Sequence, residues 1–508
     1  MFLARYLFSE APYSHRGRPV YLLEELCEWA AALAFDDIPD RVVDLAKSQI
    51  LSQISAIRAG LSHTNGDRII SALGEPFQTD RNMSATALAS LGSWLHFDDT
   101  AYAGHLGSST VAVALACTKD LNLDGRSLLT AIVAANECAA RITAAATLGP
   151  LRGQLAAHTS IAGAIAARFH AENAPARLWV DAFGLALSMA PWMVPHGLMG
   201  SDARLLTCAG PVRMGLDACD YARSGLRGAP DVLEHANGFL ARFASVSLPA
   251  EVTTGLGHRW HTDTLSFKVY PAGPGTDAAV EAAIQVHHAA GALREEDVAE
   301  IVVAVSQYTV LIEKAAATYI GASPRPMNAL VSTTPYPVAC ALMNGKLSAR
   351  DYEQDKMDDP GRIGLSSKVR IEHNAEMTAS LFGSCAPFGE ALRQAGDRAI
   401  PWLKGLGRAD MSDLLGASRR PMSSYENATK VTPARVTVTT RTGRTLARQV
   451  DIPSGSCGSP SRVQHHDLMA KKFLGTGGSA DFVDFVRTIE THSADDITRM
   501  ISAAVRNP

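Results

Sequence analysis

The sequence predicts a mainly α protein with an α+β portion: a large all-helical bundle domain followed by a smaller α/β lid domain. Alanine-rich segments of helical period fill the first half, β-branched strand-like runs appear only beyond about Lys268, and the tail returns to helix. The 508 residues exceed one ordinary domain, and 47% apolar with 19% charged residues is the balance of a globular chain. We divide the chain into an N-terminal extension (1–20), a helical domain (21–266), an α/β lid (267–458) and C-terminal helices (459–508) that pack back on the helical domain. Within the lid, residues 375–430 are rich in Gly, Pro and Ser and read as an insertion or cover.

Each element has its own signal. A helix is expected to open with Asp37 as N-cap and Pro39 in its first turn, carrying Val42, Val43, Ala46, Ile50 and Ile54 on one face. Residues 129–147, 156–169 and 178–189 repeat the helical pattern with many alanines, which let helices approach closely. A helix over 277–290 precedes a β-branched run at 300–310, a strand candidate, as is 368–372. Residues 435–440 and 445–450 pair as a hairpin through Arg441-Thr442-Gly443-Arg444. In the tail, Ser493 and Asp496 form a capping box.

Charge and cysteine usage narrow the function. The net charge is −4 and no long basic run occurs, so neither nucleic acid nor an anionic membrane surface is implied, and a small molecule is the expected partner. The eight cysteines are scattered singly in apolar surroundings, which argues against a disulfide framework and for a reducing compartment. The first 19 residues lack the apolar core of a signal peptide, and no uninterrupted apolar stretch is long enough to span a membrane.

Three segments carry candidate chemistry. Asp98, Asp99, Thr100 and His105 lie within eight positions, a density suited to acid/base work by a histidine tuned by carboxylates. Equally, the aspartates and threonine read as caps for a helix starting near Leu106. His158 opens an alanine-rich helix, where the dipole favours the neutral imidazole of a general base, or a satisfied structural histidine. Lys268 precedes the Gly/Pro loop Gly273-Pro274-Gly275 and a helix start, an arrangement that suits a carboxylate better than a nucleotide phosphate and that an interdomain linker would also produce. The remaining histidines form no metal-ligand pattern, no Gly-x-Gly spacing follows a strand in a βαβ unit, and no Gly-x-Ser-x-Gly elbow occurs.

Taken in order, these segments resemble the MmgE/PrpD family, which includes 2-methylcitrate dehydratase, cis-aconitate decarboxylase and iminodisuccinate epimerase. Asp98, Asp99, Thr100 and His105 are similar to its Asp-Asp-Thr segment and following histidine, His158 to its helix-opening histidine, Lys268 to its lysine before a Tyr-Pro or Phe-Pro loop, and residues 326–345 to its alanine-rich helix. The resemblance implies a cofactor-independent cytoplasmic homodimer with its site between bundle and lid, acting as a dehydratase or decarboxylase. In that picture His105 and His158 move protons next to a carboxylate, Asp98 orients a histidine, and Lys268 and Thr100 hold the carboxylate. Asp99, Gly273, Arg213 and Tyr319 complete the substrate contacts. The same residues suit an epimerase or isomerase, and a non-catalytic binding homologue is the alternative from another class. The chain departs from the family in three places: Gly210 stands near a family lysine, with Arg213 or Arg204 as replacement; Gly273 stands where a histidine is common; and His96 stands where an aspartate precedes Phe97.

Overall fold

The computed structural model describes residues 20–102, 104–149, 157–273, 275–321, 324–406 and 420–506. Most of the N-terminal extension and the middle of the 375–430 segment lie outside them. The long helix Asp40–Ser62 starts later than its sequence suggests. Asp37 sits in a short 3-10 turn, where its carboxylate accepts the Ala34 N–H at 3.1 Å, and Pro39, with extended backbone, stands at the N-cap. Its apolar stripe is buried as expected, and the polar face is buried too, against helices Arg81–Ser93 and His465–Gly475.

Alanine does what close packing requires. Helices Gly107–Leu121, Gly125–Ala146 and Ala157–Ala171 bury nearly every described residue and pack on one another around the centre of the bundle. Gly125–Ala146 is long and apolar enough to cross a membrane, yet its apolar 18-residue stretch is entirely buried within the fold. It carries a buried ion pair, Arg141 to Glu137 at 3.2 Å. Glu137 also accepts the backbone N–H groups of His261 (3.1 Å) and Thr262 (2.8 Å), so its charge fixes the chain just upstream of Lys268. All eight cysteines are unpaired and buried.

The lid is built on a four-stranded sheet, β1 (Val298–Val305), β2 (Val369–His373), β3 (Ala434–Thr440) and β4 (Thr445–Val450), in the order β2-β1-β3-β4. β1 runs parallel to β2 and antiparallel to β3, and β3 and β4 form the hairpin, whose Gly443 takes φ +82°. The β-branched run at 300–310 is only half strand. Ser306 accepts the Thr309 N–H as an N-cap, so the chain turns into the helix Gln307–Ala317 despite its β-branched residues. Helix Asp277–Ala290 covers β3 and β4.

One apolar core runs from the bundle through the lid and tail. In the 375–430 segment, helices Ala375–Gly383, Gly389–Ala395 and Ile400–Gly405 form a second core around Phe382, Phe388 and Trp402. It rests on Leu148 and Val246 of the helical domain, and Trp402 Nε1 donates to the Gly149 carbonyl at 2.9 Å. The tail is tied to the bundle by polar bonds. Arg58 donates to four tail carbonyls, those of Thr476, Gly477, Ala504 and Arg506, and Lys47 pairs with Glu490 at 2.9 Å.

Candidate active site

The loop after helix Arg81–Ser93 holds the first group of residues. Two non-glycine residues in it, His96 (φ 51°) and Tyr102 (φ 50°), adopt left-handed backbone, a costly conformation that turns the chain sharply at both ends of the Asp98-Asp99-Thr100 run. The two aspartates divide the alternatives left open by the sequence. Asp99 Oδ1 accepts the Gly107 N–H at 3.0 Å, satisfying the first turn of helix Gly107–Leu121. Asp98 lies 2.9 Å from His105 Nδ1 and accepts the Ser108 hydroxyl at 2.7 Å. A carboxylate only accepts, so His105 Nδ1 carries the proton and Nε2 is left for chemistry.

Electrostatics separates the two carboxyls further. Burial raises both, but the charge and hydrogen bond of His105, with Arg204 and Ser108, hold Asp98 well below the usual carboxylate range. Asp99 has Asp98 as its neighbour and burial against it, and is pushed up to about 7. His105 is lowered, since burial outweighs Asp98 and the nearby Arg204 and Lys268 add to it, so the neutral imidazole prevails at neutral pH.

The chain leading into the lid joins this loop through backbone. Thr100 and Ser266 exchange N–H···O bonds of 2.9 and 2.8 Å, which brings Lys268 beside the aspartates. Lys268 is buried and donates to the His96 carbonyl at 3.1 Å and to that of Ala272. Burial lowers it to about 8, with Asp277 and Asp98 opposing. Phe267 N donates to the Gly455 carbonyl at 2.8 Å, and Lys430 N to that of Cys457 at 3.0 Å, so Lys430 reaches the same place and its Nζ donates to Thr100 Oγ1 at 2.8 Å. From the tail helix, Lys472 donates to the Phe97 carbonyl and to Ser52 Oγ at 3.0 Å, and lies over the Phe97 ring at 3.9 Å. Burial lowers Lys472 to about 7.

Sequence reasoning did not select Lys430 or Lys472. Lys472 left a trace: with Met469 and Phe473 it shares the buried face of helix His465–Gly475, an apolar position where a lysine needs a partner. His96, singled out only as a departure, is buried. Asn328 Nδ2 donates to the Leu198 carbonyl at 2.7 Å, so its Oδ1 is the acceptor for His96 Nε2–H at 2.6 Å. The His96 and His105 rings meet edge to face at 6.0 Å.

The other candidates are dispersed. His158, second residue of helix Ala157–Ala171, is buried against Phe239 and Phe243, ring centroids 5.3 and 6.3 Å away, and neither of its nitrogens has a hydrogen-bond partner among the described residues. Burial lowers it to about 4. Its neighbour Thr159 packs on Gly104, where an added Cβ would come within 2.7 Å of Oγ1, so the helix abuts the chain just before His105. Gly273 serves the backbone: its N–H donates to the Val331 carbonyl at 2.7 Å, and a Cβ would lie 2.8 Å from that oxygen. Tyr319 is half-buried, its hydroxyl 3.0 Å from Nδ1 of exposed His196, and among the described residues no hydrogen bond or ring contact joins it to Asp98 or His105. Arg213 points away into a half-exposed ion pair with Asp217 at 2.9 Å. Of the two replacements for the family lysine, Arg204 is the buried one: Nη1 donates to Thr207 Oγ1 at 2.9 Å, while Nε and Nη2 are buried without a partner among the described residues.

Asp98, His105, His96, Lys268 and Arg204 therefore form one buried cluster that holds a neutral base beside cations, and Lys430 and Lys472 extend its charge. No curated protein matches the chain. Two family models match it in sequence order, the MmgE/PrpD N-terminal domain over residues 24–251 and the MmgE/PrpD C-terminal domain over residues 270–430, the second running through the segment 375–430. Together the two models span most of the sequence, and the chain belongs to the MmgE/PrpD family.

Proposed function

We propose that the chain is a cofactor-independent lyase, a dehydratase or decarboxylase, that transfers protons at the carbon next to a carboxylate. The observation that carries this reading is His105, fixed by Asp98 through Nδ1 at 2.9 Å within a cluster that includes Lys268 and the unpartnered guanidinium edge of Arg204. His105 Nε2 takes the α proton. The negative charge that builds on the substrate carboxylate is met by Lys268 and Arg204, whose attraction grows toward the transition state. In dehydration the freed electron pair forms the double bond and hydroxide leaves the next carbon, taking a proton from the site to depart as water. In decarboxylation carbon dioxide leaves, and the carbanion takes its proton instead. Lys268, near pKa 8, is matched to donate at neutral pH. Thr100 and Lys430 act as one unit in holding the acid, and His158 supplies a second neutral base. The reading includes a homodimer.

The same Lys268 favours a second reading. If it returns the proton to the opposite face of the carbon, the product is an epimer and no group is lost. Proton NMR of the purified protein with citrate, 2-methylcitrate, cis-aconitate and iminodisuccinate decides between them. A new alkene or loss of carbon dioxide supports the lyase and inversion without loss supports the epimerase. Turnover that persists in both His105→Ala and Lys268→Ala removes the basis of either.

A further inference from the structure

We propose that the substrate carries an apolar substituent, which seats in a cavity beside the proton-transfer groups; this rests on the carboxylate chemistry proposed above. The cavity has a volume of about 240 Å3 and is walled by Trp192, Val194, Leu198, Leu206, Pro211 and Ala157. Three of its wall residues connect to site residues, two directly and one through Asn328. Ala157 precedes His158 in the chain, the Leu198 carbonyl accepts from Asn328, which holds His96, and Thr207, also in the wall, is bonded to Arg204. The Trp192 ring stacks on Phe243 at 4.7 Å, and Phe243 flanks His158. A carboxylate held by Arg204 therefore has this cavity as its neighbour.

The wall chemistry selects the occupant. Among the described residues, Thr207 is the one wall residue with a hydroxyl or charge, and that hydroxyl is committed twice to Arg204, accepting from Nη1 and donating to the carbonyl at 2.8 Å. An entering polar group would lose its water bonds and find little to replace them, whereas an alkyl group loses nothing. Val194 and Leu206 are each 69% exposed at the rim, so an alkyl chain that covers them removes apolar surface from water. The volume suits one appendage of a small acid and is below that of a pocket for a whole drug-sized ligand.

The test titrates the full chain with succinates bearing 2-alkyl groups from methyl to hexyl, following tryptophan fluorescence and calorimetric binding. Affinity rises roughly three- to fourfold per added methylene until the chain reaches the rim. Gly197→Leu, at a wall position where an added Cβ meets nothing within 4 Å, fills the cavity and abolishes that gradient; Leu206→Ser makes it shallower. A flat series, no binding by any member, or a gradient untouched in both variants overturns the proposal. A flat series together with self-association lost in Leu206→Glu assigns the patch to a second copy of the chain. Deuterium exchange at the α carbon of the same acids is read separately: exchange with a flat series leaves the lyase reading standing, and a gradient without exchange leaves the cavity standing.

Discussion

Asp98 Oδ1 and His105 Nδ1 lie 2.9 Å apart with the carboxylate fully buried, and Ser108 holds the other oxygen. That pairing fixes the tautomer. Asp98→Asn keeps the shape, but its amide can rotate to donate to Nδ1 and so place the imidazole proton on Nε2. We expect kcat to fall about a hundredfold or more with KM changed little, measured by steady-state kinetics on the first substrate found. Equal loss on binding alone would give Asp98 a role in holding the acid.

The pH profile of kcat/KM should be a bell. Its acid limb belongs to His105, active when neutral and lowered by burial, so the limb lies below the ordinary histidine range. Its alkaline limb belongs to Lys268, active when charged and lost as pH rises through about 8. Lys268→Arg keeps the charge and should carry the alkaline limb upward; an unmoved limb assigns it to another group.

Arg204, rather than Arg213, should hold substrate. Removing a charged hydrogen-bond donor of this kind costs about ten- to a hundredfold in kcat/KM, mostly through KM. Arg204→Met should show that loss and Arg213→Met should not, in parallel kinetics on the two variants.

Asp99 makes a stability prediction. Its folded value, near 7, is above that of an unfolded aspartate, about 3.9. Between these the folded chain keeps a proton that the unfolded chain has released, so this stabilising contribution is complete at low pH and is lost as pH rises through about 7. Asp99→Asn should therefore gain on the native chain as pH goes from 5 to 8, by about 2 °C or more in Tm by calorimetry.

The sequence made the bundle legible because alanine-rich helical periodicity survives burial, and it made the sheet legible because β-branched runs are local. It misled where a local cap overrode composition, as at Ser306, and where an extended proline moved a helix N-cap from Asp37 to Pro39. Asp98, His105 and Lys268 were visible as motifs, and backbone pairing of Thr100 with Ser266 brings them together. Lys430 and Lys472 were not, because they reach the cluster from 330 and 375 residues away from their partners Thr100 and Phe97, a proximity only the fold creates.

The central claim is that His105 takes a proton from the carbon next to a carboxylate. Wash-in of solvent deuterium at that carbon, followed by NMR in deuterated buffer with native chain and His105→Ala, tests it most directly. The account predicts incorporation by the native chain that falls at least about a hundredfold in the variant. Equal incorporation by both proteins would contradict it.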